Sequence, residues 1–140
     1  MLQNLFSNHK KTSDYSVLVI EDDQPIREAI TETLCEEGFQ VVSANNGEDA
    51  LKLLDSIPMP SAFIVDLLMP EMDGAEFLSR ARVRFGRNGL ASVLVLTAAG
   101  HGEATANVIE VEDYMPKPCD MGELLRHVWS MIDKNASHAH

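Results

Sequence analysis

Val17–Asp23 reads VLVIEDD, four apolar residues running directly into three carboxylates. So short a run, apolar at every position, fits a strand covered on both faces better than a half-wet strand or a helix. The pattern recurs at Ala62–Asp66, AFIVD, where an apolar run again ends on an acid. Laid side by side and parallel, these strands deliver Glu21, Asp22, Asp23 and Asp66 to one carboxyl edge, where open α/β sheets build their binding sites. Carboxylates crowded in this way repel one another unless a proton, a cation or a cationic side chain compensates them.

Outward from these runs, short apolar stretches alternate with segments of helical period. Further strands are expected at Phe39–Ala44, Val93–Leu96 and, more weakly, Val111–Met115. Helices are expected from Pro25, suited to a first turn, to Glu37 with Gly38 as the stop, from Glu48 to Ile57, and from Ala75 to Phe85. A fourth helical piece fits Gly102–Glu110, and a fifth, Met121–Ile132, sets Met121, Leu124, Leu125, Val128, Trp129 and Ile132 on one stripe. Continuous apolar strands joined by crossover helices predict a doubly wound α/β fold, a five-stranded parallel sheet with helices on both faces.

Composition limits what this fold can do. A chain of 140 residues, 45% hydrophobic, suits one domain with one sizeable core. A net charge of −11 argues against nonspecific binding to nucleic acid or to an anionic membrane surface, both of which require clustered Lys and Arg. No apolar stretch approaches the roughly 20 residues needed to span a bilayer, and MLQNLFSNHKK lacks the apolar core of a signal peptide. A cytoplasmic protein is therefore expected. Cys35 and Cys119 stand apart without CxxC spacing and read as reduced, mostly buried thiols.

The same sheet edge should gather Thr97, at the end of the fourth strand, and Lys117, just past the fifth. Three or four carboxylates with open coordination positions suit Mg²⁺, a hard cation that takes oxygen ligands and shares them with phosphate. A hydroxyl and an ammonium both donate to phosphoryl oxygens. Asp66 could act as a nucleophile toward phosphorus, since aspartyl phosphates are an established covalent class and the catalyst's task is mainly positioning and neutralisation.

In this order VLVIEDD (Val17–Asp23), FIVDLLMPEMDG (Phe63–Gly74), LVLTAA (Leu94–Ala99) and YMPKPC (Tyr114–Cys119) resemble the receiver domains of two-component response regulators. The resemblance runs from Tyr15 to Lys134, leaving residues 1–14 as an expected flexible extension and residues 135–140 as an expected disordered tail. It implies the CheY-like, flavodoxin-like strand order 2-1-3-4-5. It further implies that Asp66 accepts a phosphoryl group, that Asp22, Asp66, the Leu68 carbonyl and, through water, Glu21 bind Mg²⁺, and that Thr97 and Lys117 contact phosphoryl oxygens. Tyr114 would be the aromatic switch, and Pro118 would follow a cis bond. The implied partners are a sensor histidine kinase or phosphotransfer protein upstream, and downstream a protein meeting the face of the fourth helix, fifth strand and fifth helix. The domain would be a signalling module catalysing its own phosphorylation and dephosphorylation rather than an enzyme acting on others.

Plainer roles compete at several positions. Asp23 reads best as a cap of the helix at Pro25, and Asp73 with Gly74 as turn and cap chemistry. His101, His127 and His138–His140 read as solvated, and Met59, Met69, Met72 and Met115 as packing. The chain also departs from the family pattern. The span from Thr97 to Lys117 is short by about half a helical turn, Glu110, Val111 and Glu112 replace the usual Gly-Ala, and Cys119 follows the Lys-Pro step. Neither Leu68 nor Ala99 can orient an attacking water by side chain, which implies slow self-dephosphorylation. A flavodoxin-like cofactor site and an Asp-x-Asp phosphohydrolase site both fit EDDQP and DLL poorly. The alternative kept is a pseudo-receiver, an interaction module on the same fold that works without phosphorylation.

Overall fold

In the computed structural model, residues 11–69, 72–86, 90, 92–97, 110–111, 113–117 and 119–138 are described. A short 3-10 turn, Thr12–Asp14, leads into β1 (Ser16–Ile20), followed by α1 (Gln24–Glu36), β2 (Gln40–Ala44), α2 (Gly47–Leu54), β3 (Ala62–Asp66), α3 (Gly74–Phe85), β4 (Val93–Thr97), β5 (Asp113–Pro116) and α4 (Met121–His138). The five strands pair in parallel in the order β2-β1-β3-β4-β5, as the resemblance implied. Among the described residues there are four helices. The fourth helical piece expected over Gly102–Glu110 lies, apart from Glu110, outside them, and so do Pro70, Ala99, His101 and Pro118 with its expected cis bond.

Successive side chains of a strand point to opposite faces, and the core divides accordingly. Leu18, Ile20, Phe63, Val65 and Val95 pack with Ala50, Leu51 and Leu54 of α2 and Phe77, Leu78 and Ala81 of α3. Val17, Val19, Ile64, Leu94 and Leu96 pack on the other face with Ile30 and Leu34 of α1 and with Leu124, Val128, Trp129 and Ile132 of α4. Every residue of β3 and β4 is buried, which is why their runs carry no polar alternation. Full burial of one large apolar side chain such as Phe77 is worth about 1.5–3 kcal/mol, so the two faces supply most of the driving force.

Several boundaries and exposures differ from expectation. α4 continues through His138, so residues 135–138 are helical rather than part of a disordered tail; after Ile132 neither Gly nor Pro interrupts the helix. Thr12 is buried and the Gln40 side-chain amide donates to the Ser13 carbonyl at 2.7 Å, tying residues 12–14 to β2. Cys35 is exposed, because it sits one position past buried Leu34 and is rotated off the inward stripe of α1; Cys119 is half-buried, and both are free thiols. His127 is not simply solvated, since its Nδ1 lies 3.5 Å from Asp113 Oδ1. Met69, Met72 and Met115 are buried as packing residues, while Met59 is exposed.

Candidate functional site

Parallel register sets the site. Ile20 pairs with Val65, Asp66 with Leu96 and Thr97 with Pro116, so the residues at or just past these strand ends meet above one edge. Glu21 remains anchored to the sheet by its amide, which donates to the Ala44 carbonyl at 3.1 Å. Glu21, Asp22 and Asp66 each turn a carboxylate oxygen into a space where these atoms lie within 4.8 Å of one another. Glu21 and Asp66 are buried, whereas Asp22 is exposed.

The cationic side chain that such crowding demands is Lys117. Its Nζ lies 2.9 Å from Glu21 Oε1 and donates to Asp66 Oδ2 at 3.2 Å. The approach to Glu21 is an ion pair whose alignment falls short of a hydrogen bond, so Oε1 is buried without a directed donor. Glu21 Oε2 accepts from the Asp23 amide at 3.2 Å, and Asp66 Oδ1 accepts from the Leu68 amide at 3.1 Å. The Lys117 backbone is fixed by its amide, which donates to the Thr97 carbonyl at 2.8 Å.

The electrostatics follow from this packing. Burial, reinforced by Asp66, pushes Glu21 up to about 7, against the opposing pull of Lys117. Burial alone would lower the Lys117 ammonium, but the close carboxylates of Glu21 and Asp66 outweigh that and leave it above its ordinary value. Cys119, two residues on, is raised mainly by burial and in part by the carboxylates, which makes it a weak nucleophile at neutral pH.

Thr97 is buried at the end of β4, but its hydroxyl donates to the Met115 carbonyl at 3.4 Å, across to β5 rather than toward Asp66. Tyr114 is half-buried on β5 against the α2 and α3 side of the core. The Leu68 side chain is 69% exposed at the rim. Asp23 does cap α1, accepting from the Ile26 amide at 3.1 Å, and Asp73 caps α3 through the Glu76 amide at 2.9 Å. Two further caps complete the set: Asn46 Oδ1 accepts from the Asp49 amide at 2.7 Å at the start of α2, and Asp120 Oδ2 accepts from the Glu123 amide at 3.2 Å, in the D-x-x-E pattern that marks helix starts. Gly74 is closer to the site than turn chemistry suggests. A Cβ there would lie 2.5 Å from the Asp66 carbonyl oxygen and 2.9 Å from Val65 Cγ1, so only glycine lets α3 begin against the acidic strand end.

A doubly wound sheet that gathers a carboxylate trio, a lysine and a threonine at its carboxyl edge places the chain among the small single-sheet α/β proteins. The response regulator receiver domain matches residues 17–129, and the chain belongs to that family. The response regulator MprA of Mycobacterium tuberculosis is 33% identical over 118 residues, covering 83% of this chain and 50% of that protein. The chain thus spans about half the length of the curated relatives it matches. Among solved structures, the receiver domain of the Francisella response regulator 1452 superposes with a TM-score of 0.76 at 27% identity, covering 86% of this chain and 98% of that one. TrrA of Thermotoga maritima, solved in complex with Mg²⁺-BeF, gives a TM-score of 0.72 at 30% identity, covering 84% and 98%.

Proposed function

We propose that the chain accepts a phosphoryl group on Asp66 and relays the event through a protein-contacting face, as one step of a two-component pathway. The observation that carries this reading is the Lys117 ammonium lodged between Glu21 and Asp66, with Asp22 open to solvent alongside. The nucleophile is a carboxylate oxygen of Asp66. As its O–P bond forms, the P–N bond of a partner's phosphohistidine, or the P–O bond of a small acyl phosphate, breaks, and the leaving group departs with the bonding pair. Lys117 then meets a phosphoryl oxygen in place of the carboxylate it now holds.

Mg²⁺ fits the residues present. Glu21 Oε1 is a buried carboxylate oxygen without a directed donor, and the trio's oxygens converge within 4.8 Å. Asp22, Asp66 and the Leu68 carbonyl would hold the ion directly, with Glu21 through water, and once bound it would supply positive charge to the phosphoryl oxygens. Thr97 would leave the Met115 carbonyl to donate to a phosphoryl oxygen. That exchange removes a tie between β4 and β5 and biases β5, with Tyr114, toward a second arrangement. Residues 102–110, β5 and α4 would present the change to a downstream protein, and a sensor histidine kinase or phosphotransfer protein would be the donor. Leu68 offers no group to orient a hydrolytic water, so the phosphoryl group should persist. Nothing among the described residues favours the phosphorylation-independent alternative.

Intact-mass spectrometry after incubation with acetyl phosphate and Mg²⁺ tests the assignment. The wild type gains one phosphoryl group that outlasts donor removal by more than seconds, and Asp66→Ala gains none. Undiminished labelling of Asp66→Ala would sink the acceptor assignment.

A further inference from the structure

α3 touches the site at one end and the approach to β5 at the other. At its start, Gly74 is pressed against the backbone of Asp66 and Leu67, and its amide donates to the Leu67 carbonyl at 3.3 Å. Phe77, Leu78 and Ala81 then lock the helix into the core. In its last turn, Arg82 Nη2 donates to the Glu110 carbonyl at 3.0 Å, across 28 residues of sequence. Glu110 is the one non-glycine residue with positive φ among those described, at 58°. A β-carbon disfavours that left-handed conformation, which persists where surrounding contacts impose it. Just past this turn, Val111 and Tyr114 pack on the same core face as Phe85 of α3, and β5 pairs with β4 from Asp113 onward.

We infer that Arg82 is a positioning residue, a clasp from α3 that holds the left-handed turn at Glu110 and thereby places β5, with Tyr114 and Lys117, relative to Asp66. The inference rests on the phosphoacceptor reading and adds a second connection between acid pocket and β5, independent of Thr97. A phosphoryl group on Asp66 loads β5 from one side through Lys117 and Thr97. The clasp resists from the other by tying the start of the strand to a helix that abuts the Asp66 backbone. Without it, β5 samples more positions and Lys117 is less often where the anion needs it. Binding of an isolated Mg²⁺ ion, which falls to Glu21, Asp22 and Asp66, should scarcely change.

The test is calorimetric titration of the full chain, first with Mg²⁺ and then with beryllofluoride at saturating Mg²⁺, a mimic of the phosphoryl group. Arg82→Ala should weaken beryllofluoride about fivefold, at the low end of coupling between sites because the bond lies at the surface. Its Mg²⁺ affinity should match wild type. Arg82→Lys, which keeps a cationic donor, should recover most of the loss, while Arg80→Ala, which removes only an exposed pair with Glu76, should lose nothing. Equal beryllofluoride affinity in Arg82→Ala and wild type overturns the clasp. So does a parallel loss of Mg²⁺ affinity, which marks a general structural defect, or an Arg82→Lys as impaired as the alanine variant. A wild type that binds no beryllofluoride overturns the phosphoacceptor reading instead, and the clasp falls with it.

Discussion

Glu21 is the site's most fully buried carboxylate, and its environment pulls it in two directions. Removal from water and the neighbouring Asp66 favour the protonated form, while Lys117 and the Asp23 amide favour the ion; the balance leaves its pKa near 7 against an ordinary 4.5. The sign of the stability effect follows from linkage. A raised folded-state value means that the folded protein binds the proton more tightly than the unfolded chain. The contribution is fully present below 4.5 and is lost as pH rises through about 7. Glu21→Gln keeps the shape without ionising. In metal-free buffer its unfolding midpoint should therefore gain on wild type as pH climbs through that window, then hold a constant offset above it. A difference independent of pH would refute the account. Asp23 shows the opposite case, an acid of the same run whose carboxylate is used by its own helix, with a cap worth about 1 kcal/mol.

At the scale of elements, α3 shows how a helix start can be part of a site without carrying a reactive group. Asp73 caps it, Gly74 lets it lie against Asp66, and the buried Phe77 and Leu78 fix its angle. Gly74→Ala places a methyl group into backbone that cannot yield as a flexible side chain would. Such overpacking costs about 1–3 kcal/mol, and here the displaced atoms belong to the acceptor strand. The denaturant midpoint should fall accordingly, and acetyl phosphate labelling should slow in the same variant. A midpoint equal to wild type would show that α3 can slide away from Asp66. Neither the sequence "DG" nor its turn propensity revealed this closeness, because the clash depends on where α3 lands on β3.

For the whole molecule, the proposed metal site implies a linkage: the carboxylate trio converges only in the folded state, whereas in the unfolded chain the three acids are dispersed, so a dication bound there would favour folding. A ligand that binds only the folded state stabilises it by about 2.7 kcal/mol at a hundredfold excess over its Kd. Thermal unfolding followed by Trp129 fluorescence should shift upward with Mg²⁺ and return on chelation. The shift should largely vanish in Asp22→Ala, whose carboxylate is exposed and holds no core contact. A midpoint indifferent to Mg²⁺ in the wild type would count against the metal assignment. No helix among the described residues is long and apolar enough to cross a membrane.

Much of this was legible in the chain. Runs of four or five apolar residues separated by helix-period segments specify parallel strands buried on both faces, because only that arrangement covers them. An acid, a threonine or a lysine at or just past a strand end then falls on one edge whatever the details of packing. Burial in detail was not legible. Cys35 differs from Leu34 by one step around a helix, and whether that step faces core or water is set by how α1 settles on the sheet. His127 found Asp113 only because the fold brings α4 to within 3.5 Å of the first residue of β5. The sequence by itself determined the fold class and which residues meet at the carboxyl edge, since both follow from periodicity and strand direction. Only the tertiary structure decided that Lys117 bridges Glu21 and Asp66, that Thr97 is turned toward Met115, and that Arg82 reaches Glu110. Those are distances between groups far apart in the chain, fixed by packing that no local pattern records.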